Sequence, residues 1–188
     1  MKILYLHGFG SRYDPEHEKI KKLETLGTVV GVDIDYCNGY ERAVETATQA
    51  VYDEHVDLIV GTSMGGYLAS HVGTKIGVPF VALNPAVEPA VNLEKWVGTF
   101  IDWTGQGKCL TKNICADYPP MEEEGCGLVI VESGDEVVDA HNTYSQLKEV
   151  YETHMLTAGS HRFEHMDVAL PLIQTFYDGA AINYGIDN

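Results

Sequence analysis

The sequence is poor in positive charge: 12 lysines and arginines stand against 28 aspartates and glutamates, a formal net charge of −16. Such a surface repels nucleic-acid backbones and anionic bilayers, and no basic patch offsets it, so neither is expected as a partner. Cysteine is also scarce. The four present, Cys37, Cys109, Cys115 and Cys126, lack the C-x-x-C pairing of zinc or redox sites and the density of a disulfide scaffold. Free thiols are the simplest reading, with a metal or disulfide staple among the last three as the alternative. Long apolar runs are missing too. Only Ile3 to Leu6 precede His7 at the N-terminus, far short of a signal-peptide core, and no other run could span a bilayer, so a cytoplasmic location is expected. Repeats and low-complexity segments are absent, which excludes solenoids and disordered arrays.

What is present suits an ordinary globular chain. With 188 residues, 45 % of them hydrophobic and 21 % charged, the length fits one domain spanning residues 1–188 with a substantial core. The densest signal is Gly61-Thr62-Ser63-Met64-Gly65, a G-x-S-x-G pattern directly behind the apolar run Leu58-Ile59-Val60. In a nucleophile elbow a buried strand ends, the chain turns sharply with serine at its tip, and a helix begins at once; flanking glycines avoid a Cβ clash. Leu68, Val72 and Ile76 at helical spacing supply that helix. The competing reading is a plain glycine-rich turn.

The remaining strands alternate with helices. Lys2-Ile3-Leu4-Tyr5-Leu6 runs into His7-Gly8-Phe9-Gly10-Ser11, an apolar strand followed by a glycine-rich turn. In a serine hydrolase such a turn supplies a backbone N–H to the oxyanion hole, which makes Phe9 a candidate donor beside Met64. His7 is expected to orient this loop; a phosphate-binding loop is disfavoured because neither G-x-G-x-x-G nor G-K-[ST] is present. A surface helix is predicted over 16–26, with Lys19 among its exposed charges, a strand over 28–35, and a second helix over 40–52. Asp33 and Asp35 end that strand as turn residues or, less readily, as site residues. Another strand, 78–83, ends at Asn84-Pro85-Ala86-Val87. Residues 85–126 break the rhythm with prolines, glycines, Trp96, Phe100, Trp103 and a solvated Glu122-Glu123-Glu124, and read as a cap-like insertion. Its aromatics either pack the insertion onto the sheet or line a substrate pocket; Gly8, Gly10, Trp96 and Trp103 are the candidate substrate-binding residues.

Beyond the insertion, a strand over 127–131 leads to Ser133-Gly134-Asp135-Glu136-Val137. Asp135 lies on the loop itself and is favoured as the orienting acid over Asp139, whose simplest role is to cap the next helix. A last strand, 153–157, precedes Gly159-Ser160-His161, and a final helix is predicted to begin near Pro171. His161 directly follows the turn and is favoured as general base over His165. The resulting order, Ser63, Asp135, His161, is that of α/β-hydrolases, and each residue follows a strand of a mostly parallel, helix-flanked, three-layer sheet.

The chain resembles the small bacterial esterases of the YqiA/YcfP (UPF0227) group within the α/β-hydrolase superfamily. The resemblance is carried by Leu4-Tyr5-Leu6-His7-Gly8-Phe9 with Ser11, Gly61-Thr62-Ser63-Met64-Gly65-Gly66-Tyr67, Asn84-Pro85-Ala86-Val87, Ser133-Gly134-Asp135-Glu136-Val137 and Gly159-Ser160-His161-Arg162-Phe163. One departure is Ser160, where the group often has asparagine before the histidine. The resemblance implies a serine esterase acting on small soluble esters or thioesters, without metal or cofactor. Together these readings predict a Ser63-His161-Asp135 triad working through an acyl-enzyme, in a monomer or weak homodimer. A thioesterase or acyltransferase would use the same residues, and a catalytically dead ligand-binding hydrolase fold is the rival from another class.

Overall fold

The computed structural model describes residues 1–102 and 104–184, so Trp103 lies outside the described residues. In chain order the elements are β1 (Lys2–Leu6), α1 (Glu18–Leu23), β2 (Thr28–Gly31), α2 (Tyr40–Glu54), β3 (Leu58–Thr62), α3 (Met64–Ile76) and β4 (Phe80–Leu83). They continue with α4 (Pro89–Asn92), β5 (Gly98–Ile101), β6 (Gly107–Leu110), α5 (Lys112–Ala116), β7 (Gly127–Glu132), α6 (Ala140–Leu147), β8 (Glu152–Leu156) and α7 (Met166–Tyr184).

Alternation along the strands decides the layers. Leu4 and Leu6, Ile59, Phe80 and Ala82, Val129 and Val131 point to one face, where α2, α3 and the residues after β4 cover them. Their neighbours Ile3 and Tyr5, Leu58 and Val60, Val81 and Leu83, Leu128 and Ile130 point to the other, covered by α1 and α7. Both faces are apolar, as a parallel sheet buried on two sides requires. The sheet has six strands in the order β2-β1-β3-β4-β7-β8, and every pairing is parallel. Succession from β1 runs outward to β2 and then returns to β3 on the other side. The β1–β3 boundary is therefore the topological switch point, where the carboxyl ends of open α/β sheets leave a crevice for ligands. Between β4 and β7 lie α4, α5 and the antiparallel hairpin of β5 and β6, which occupy the stretch expected to be a cap-like insertion.

Two predicted boundaries and one predicted exposure are corrected by the structure. β2 stops at Gly31 instead of continuing to Asp35, because Asp35 caps a 3-10 turn at Tyr36–Asn38 by accepting from the Cys37 amide. Lys19 is 7 % exposed, although the helix that carries it was expected to present it to solvent. The last helix starts at Met166, with Pro171 inside it. Burial of Met166 and Ala169 against the sheet, and capping of the Val168 and Ala169 amides by the His165 carbonyl, outweigh the one backbone bond the proline removes. No described helix is long and apolar enough to cross a membrane.

Behind the elbow helix, His71 is 4 % exposed. Its Nε2 donates to the Pro120 carbonyl at 3.1 Å, so Nδ1 accepts from the Tyr40 hydroxyl at 3.0 Å, with a Glu122 carboxylate oxygen 3.3 Å away. Burial lowers its pKa from 6.5 to about 4. The unfolded chain protonates this residue near its ordinary pKa while the native chain resists until about pH 4, so the native state loses stability as pH falls through that interval. His71→Gln should shrink the difference in urea-unfolding free energy between neutral pH and the acid end of the interval, by up to about 3 kcal/mol. An unchanged acid dependence would show that His71 does not carry it.

Candidate active site

Ser63 sits between β3 and α3 with φ 59° and ψ −122°, a left-handed conformation that non-glycine residues rarely adopt. The turn is this tight because its neighbours have no side chains. A Cβ on Gly65 would overlap the Leu6 carbonyl, and one on Gly61 would overlap the Gly65 backbone. The serine is thereby lifted above the carboxyl end of β3, against the loop after β1: a Cβ on Gly8 would lie 3.3 Å from that of Ser63.

Three of the candidate residues meet here. His161 Nε2 lies 2.8 Å from Ser63 Oγ, and His161 Nδ1 lies 2.8 Å and 3.0 Å from the two carboxylate oxygens of Asp135. A carboxylate only accepts, so Nδ1 donates to Asp135, and Nε2 is left to accept the serine proton. Asp135 has a side chain only 1 % exposed, and its Oδ1 also accepts from the amides of Val137 and Val138 at 2.8 Å each. Asp139 is elsewhere, capping α6 through the Asn142 amide. His165 faces away, its Nδ1 on Glu132 Oε1 at 2.8 Å.

Of the remaining candidates within the described residues, Gly8 lies against Ser63 and Met64 follows it directly. Met64 is the first residue of α3, so its amide has no carbonyl a turn earlier to bond. The Phe9 ring packs on Phe100 at 5.4 Å and Trp96 at 6.1 Å between centroids, joining the loop after β1 to the insertion. Trp96 is 48 % exposed, so its ring both packs on that loop and keeps a free face. Gly10, with φ 67°, makes the turn that leaves Phe9 at the loop's tip. Beside Phe9 lies a cavity of about 170 Å³, walled by Gly10, Arg12, Tyr36, Phe100 and Lys108. His7 holds the loop from beneath: Nε2 accepts from the Ile34 amide at 2.9 Å, Nδ1 faces the Gly8 carbonyl at 2.8 Å, and burial lowers its pKa. Asp33 accepts from the Tyr13 amide and Asp35 pairs with Lys108 at 2.6 Å, so both hold loops. Cys37, Cys109 and Cys115 are free thiols, and no described group of three or more His, Cys, Asp or Glu side chains could hold a metal ion.

Several residues that support the histidine loop escaped sequence reasoning. Glu132, fully buried at the end of β7, accepts from the amides of Ser160, Glu164 and His165 as well as from the His165 ring. Asn84, in a left-handed conformation with φ 45°, donates to the Ser160 carbonyl and accepts from the Glu132 amide. Glu136 accepts from the His161 amide at 3.0 Å, a bond that draws its carboxyl below the usual range. A glutamate ending an otherwise apolar strand was the available signal for Glu132, since a buried carboxyl demands donors. Glu132→Gln keeps the shape but turns an amide N–H₂ toward backbone N–H groups. It should cost roughly 1–3 kcal/mol in chemical denaturation, the penalty for leaving buried hydrogen-bonding groups unsatisfied. Wild-type stability would show that the carboxylate is dispensable.

A family model described as "Uncharacterised protein family (UPF0227)" matches residues 2–178. A UPF0227 protein of Serratia proteamaculans (strain 568) is 28 % identical over 182 residues, covering 93 % of this chain and 97 % of its own. Among solved structures, Est1E from Butyrivibrio proteoclasticus aligns with a TM-score of 0.71 at 16 % identity, covering 96 % of this chain and 88 % of its own. The monoacylglycerol lipase of Paleococcus ferrophilus aligns with a TM-score of 0.69 at 12 % identity, covering 95 % and 94 % of the two chains. These likenesses establish the α/β-hydrolase fold. The family match, running from the first strand into the last helix, establishes more: the chain belongs to the UPF0227 family.

Proposed function

We propose that the protein is a serine hydrolase of small carboxylic esters, with Ser63 as nucleophile, His161 as general base and Asp135 as the acid that orients it. The observation that carries this reading is the unbroken line of hydrogen bonds from Ser63 Oγ through both nitrogens of His161 to Asp135. His161 Nε2 takes the proton as Oγ attacks the ester carbonyl, and Asp135 stabilises the imidazolium that forms. The amides of Met64 and Phe9 bind the oxyanion, the first at a helix N-terminus where the dipole favours negative charge. His161 then protonates the departing alcohol, and the same base activates water to hydrolyse the acyl-enzyme. Gly8 and Gly10 leave the loop backbone open to the substrate. Trp96, whose exposed face is free, is the described candidate for contacting the substrate, and Trp103 stays a candidate from its place in the sequence. Affinity to the fold of a monoacylglycerol lipase supports acyl-ester chemistry in general.

The test is stoichiometric labelling by a fluorophosphonate probe, with the modified peptide identified by mass spectrometry. Attachment at Ser63 is expected. Folded protein that takes up no label would sink the serine-hydrolase reading.

A further inference from the structure

A buried lysine joins the supports of the two reacting side chains. The Nζ of Lys19 donates to Thr62 Oγ1 at 3.1 Å and to the Arg162 carbonyl at 2.6 Å. Thr62 immediately precedes Ser63, and Arg162 immediately follows His161. One side chain from α1 thus bridges the strand end that carries the hydroxyl and the loop that carries the imidazole.

Packing does not explain a lysine at this position. It is 7 % exposed, and no ion pair joins it to a carboxylate among the described residues. Burying an ammonium without a counter-charge costs folding free energy, and an apolar side chain of similar volume would fill the space at least as well. Nor does Thr62 depend on it, because the Tyr5 hydroxyl already donates to Oγ1 at 3.1 Å. What lysine alone supplies is a donor long enough to reach both Thr62 and Arg162. Glu132 and Asn84 hold the same loop from β7 and the end of β4, so of these three supports Lys19 is the one tied to β3.

Resting on the serine-hydrolase reading, we propose that Lys19 is a positioning residue: it ties the histidine loop to the nucleophile's strand and so keeps His161 Nε2 in range of Ser63 Oγ. The distance it guards is 2.8 Å. Displacement of a reacting group by about 1 Å costs on the order of 10²-fold in rate.

Lys19→Met keeps the length and removes the donor. Three measurements are made on it: kcat and KM on p-nitrophenyl acetate, the melting temperature, and hydrogen exchange of the amides in residues 158–165. We expect kcat to fall on the order of 10²-fold, with KM little changed, the melting temperature equal or higher, and exchange faster in that loop alone. An unchanged kcat, or unchanged exchange in the loop, overturns the proposal. So does a loss of activity that tracks a lower melting temperature and faster exchange across α1 and the sheet, since that pattern belongs to a general structural role. If the methionine variant does not fold, Lys19→Leu is read by the same three measurements. The exchange experiment needs no substrate, so it reports on the Lys19 tie even if the native protein takes no fluorophosphonate label, a result that would defeat the serine reading alone.

Discussion

Alanine at position 63 is expected to lower kcat on a short-chain ester by on the order of 10⁶-fold, the loss seen when a triad nucleophile is removed from a serine hydrolase. The variant should fold as the native protein does. Ser63 makes no side-chain capping bond to α3, and alanine meets the same left-handed backbone with the same Cβ, so the substitution adds no strain. The two effects therefore separate cleanly: equal melting temperatures together with vanished turnover identify the hydroxyl as the reacting group. A residual rate of roughly 10³ to 10⁴ over water should survive, because oxyanion donors and binding act without the nucleophile. A loss of less than tenfold would exclude Ser63 from covalent chemistry.

The second large effect concerns the base. His161→Ala is expected to cost about as much as loss of the serine, since nucleophile and base act as one unit and neither works alone. His165→Ala is the informative control. It lies four residues away, but its ring bonds Glu132 and touches neither Ser63 nor Asp135, so this variant should keep most of its turnover while losing some stability. If His165→Ala alone were inactive, the base would be misassigned. Parallel kcat measurements on the two folded variants decide the point.

How much of this was legible beforehand follows from how local each signal is. The strand-to-helix turn at Ser63 could be read from the eight consecutive residues 58–65, because glycine is forced wherever two backbones approach too closely for a Cβ. The separation of Asp135 from Asp139 was also local: one sits in the loop after a strand, the other directly before a helix whose first turn needs a cap. Lys19 and Glu132 were not legible in that way. Lys19 stands beside other charges on a short helix, and its partners are Thr62, 43 residues on, and Arg162, 143 residues on. Glu132 bonds a loop 28 to 33 residues away. Nothing in their neighbours announces such contacts. The start of the last helix was missed for a related reason: Pro171 is a strong local breaker, but the burial of Met166 and Ala169 is a tertiary effect and won.

The all-parallel sheet has a consequence for how the molecule comes into being. Each pairing joins strands that a crossover must first separate, and β7 reaches β4 only past the whole insertion, with Phe80 opposite Gly127. The serine and the imidazole are 98 residues apart. Sheets dominated by such distant pairings fold slowly. During synthesis a chain that has emerged only through β4 carries Ser63 without Asp135 or His161, so the proposed triad predicts no turnover before residue 161 emerges. Under the proposed triad, regain of turnover after denaturation would report the moment at which the histidine loop behind β8 has met the elbow.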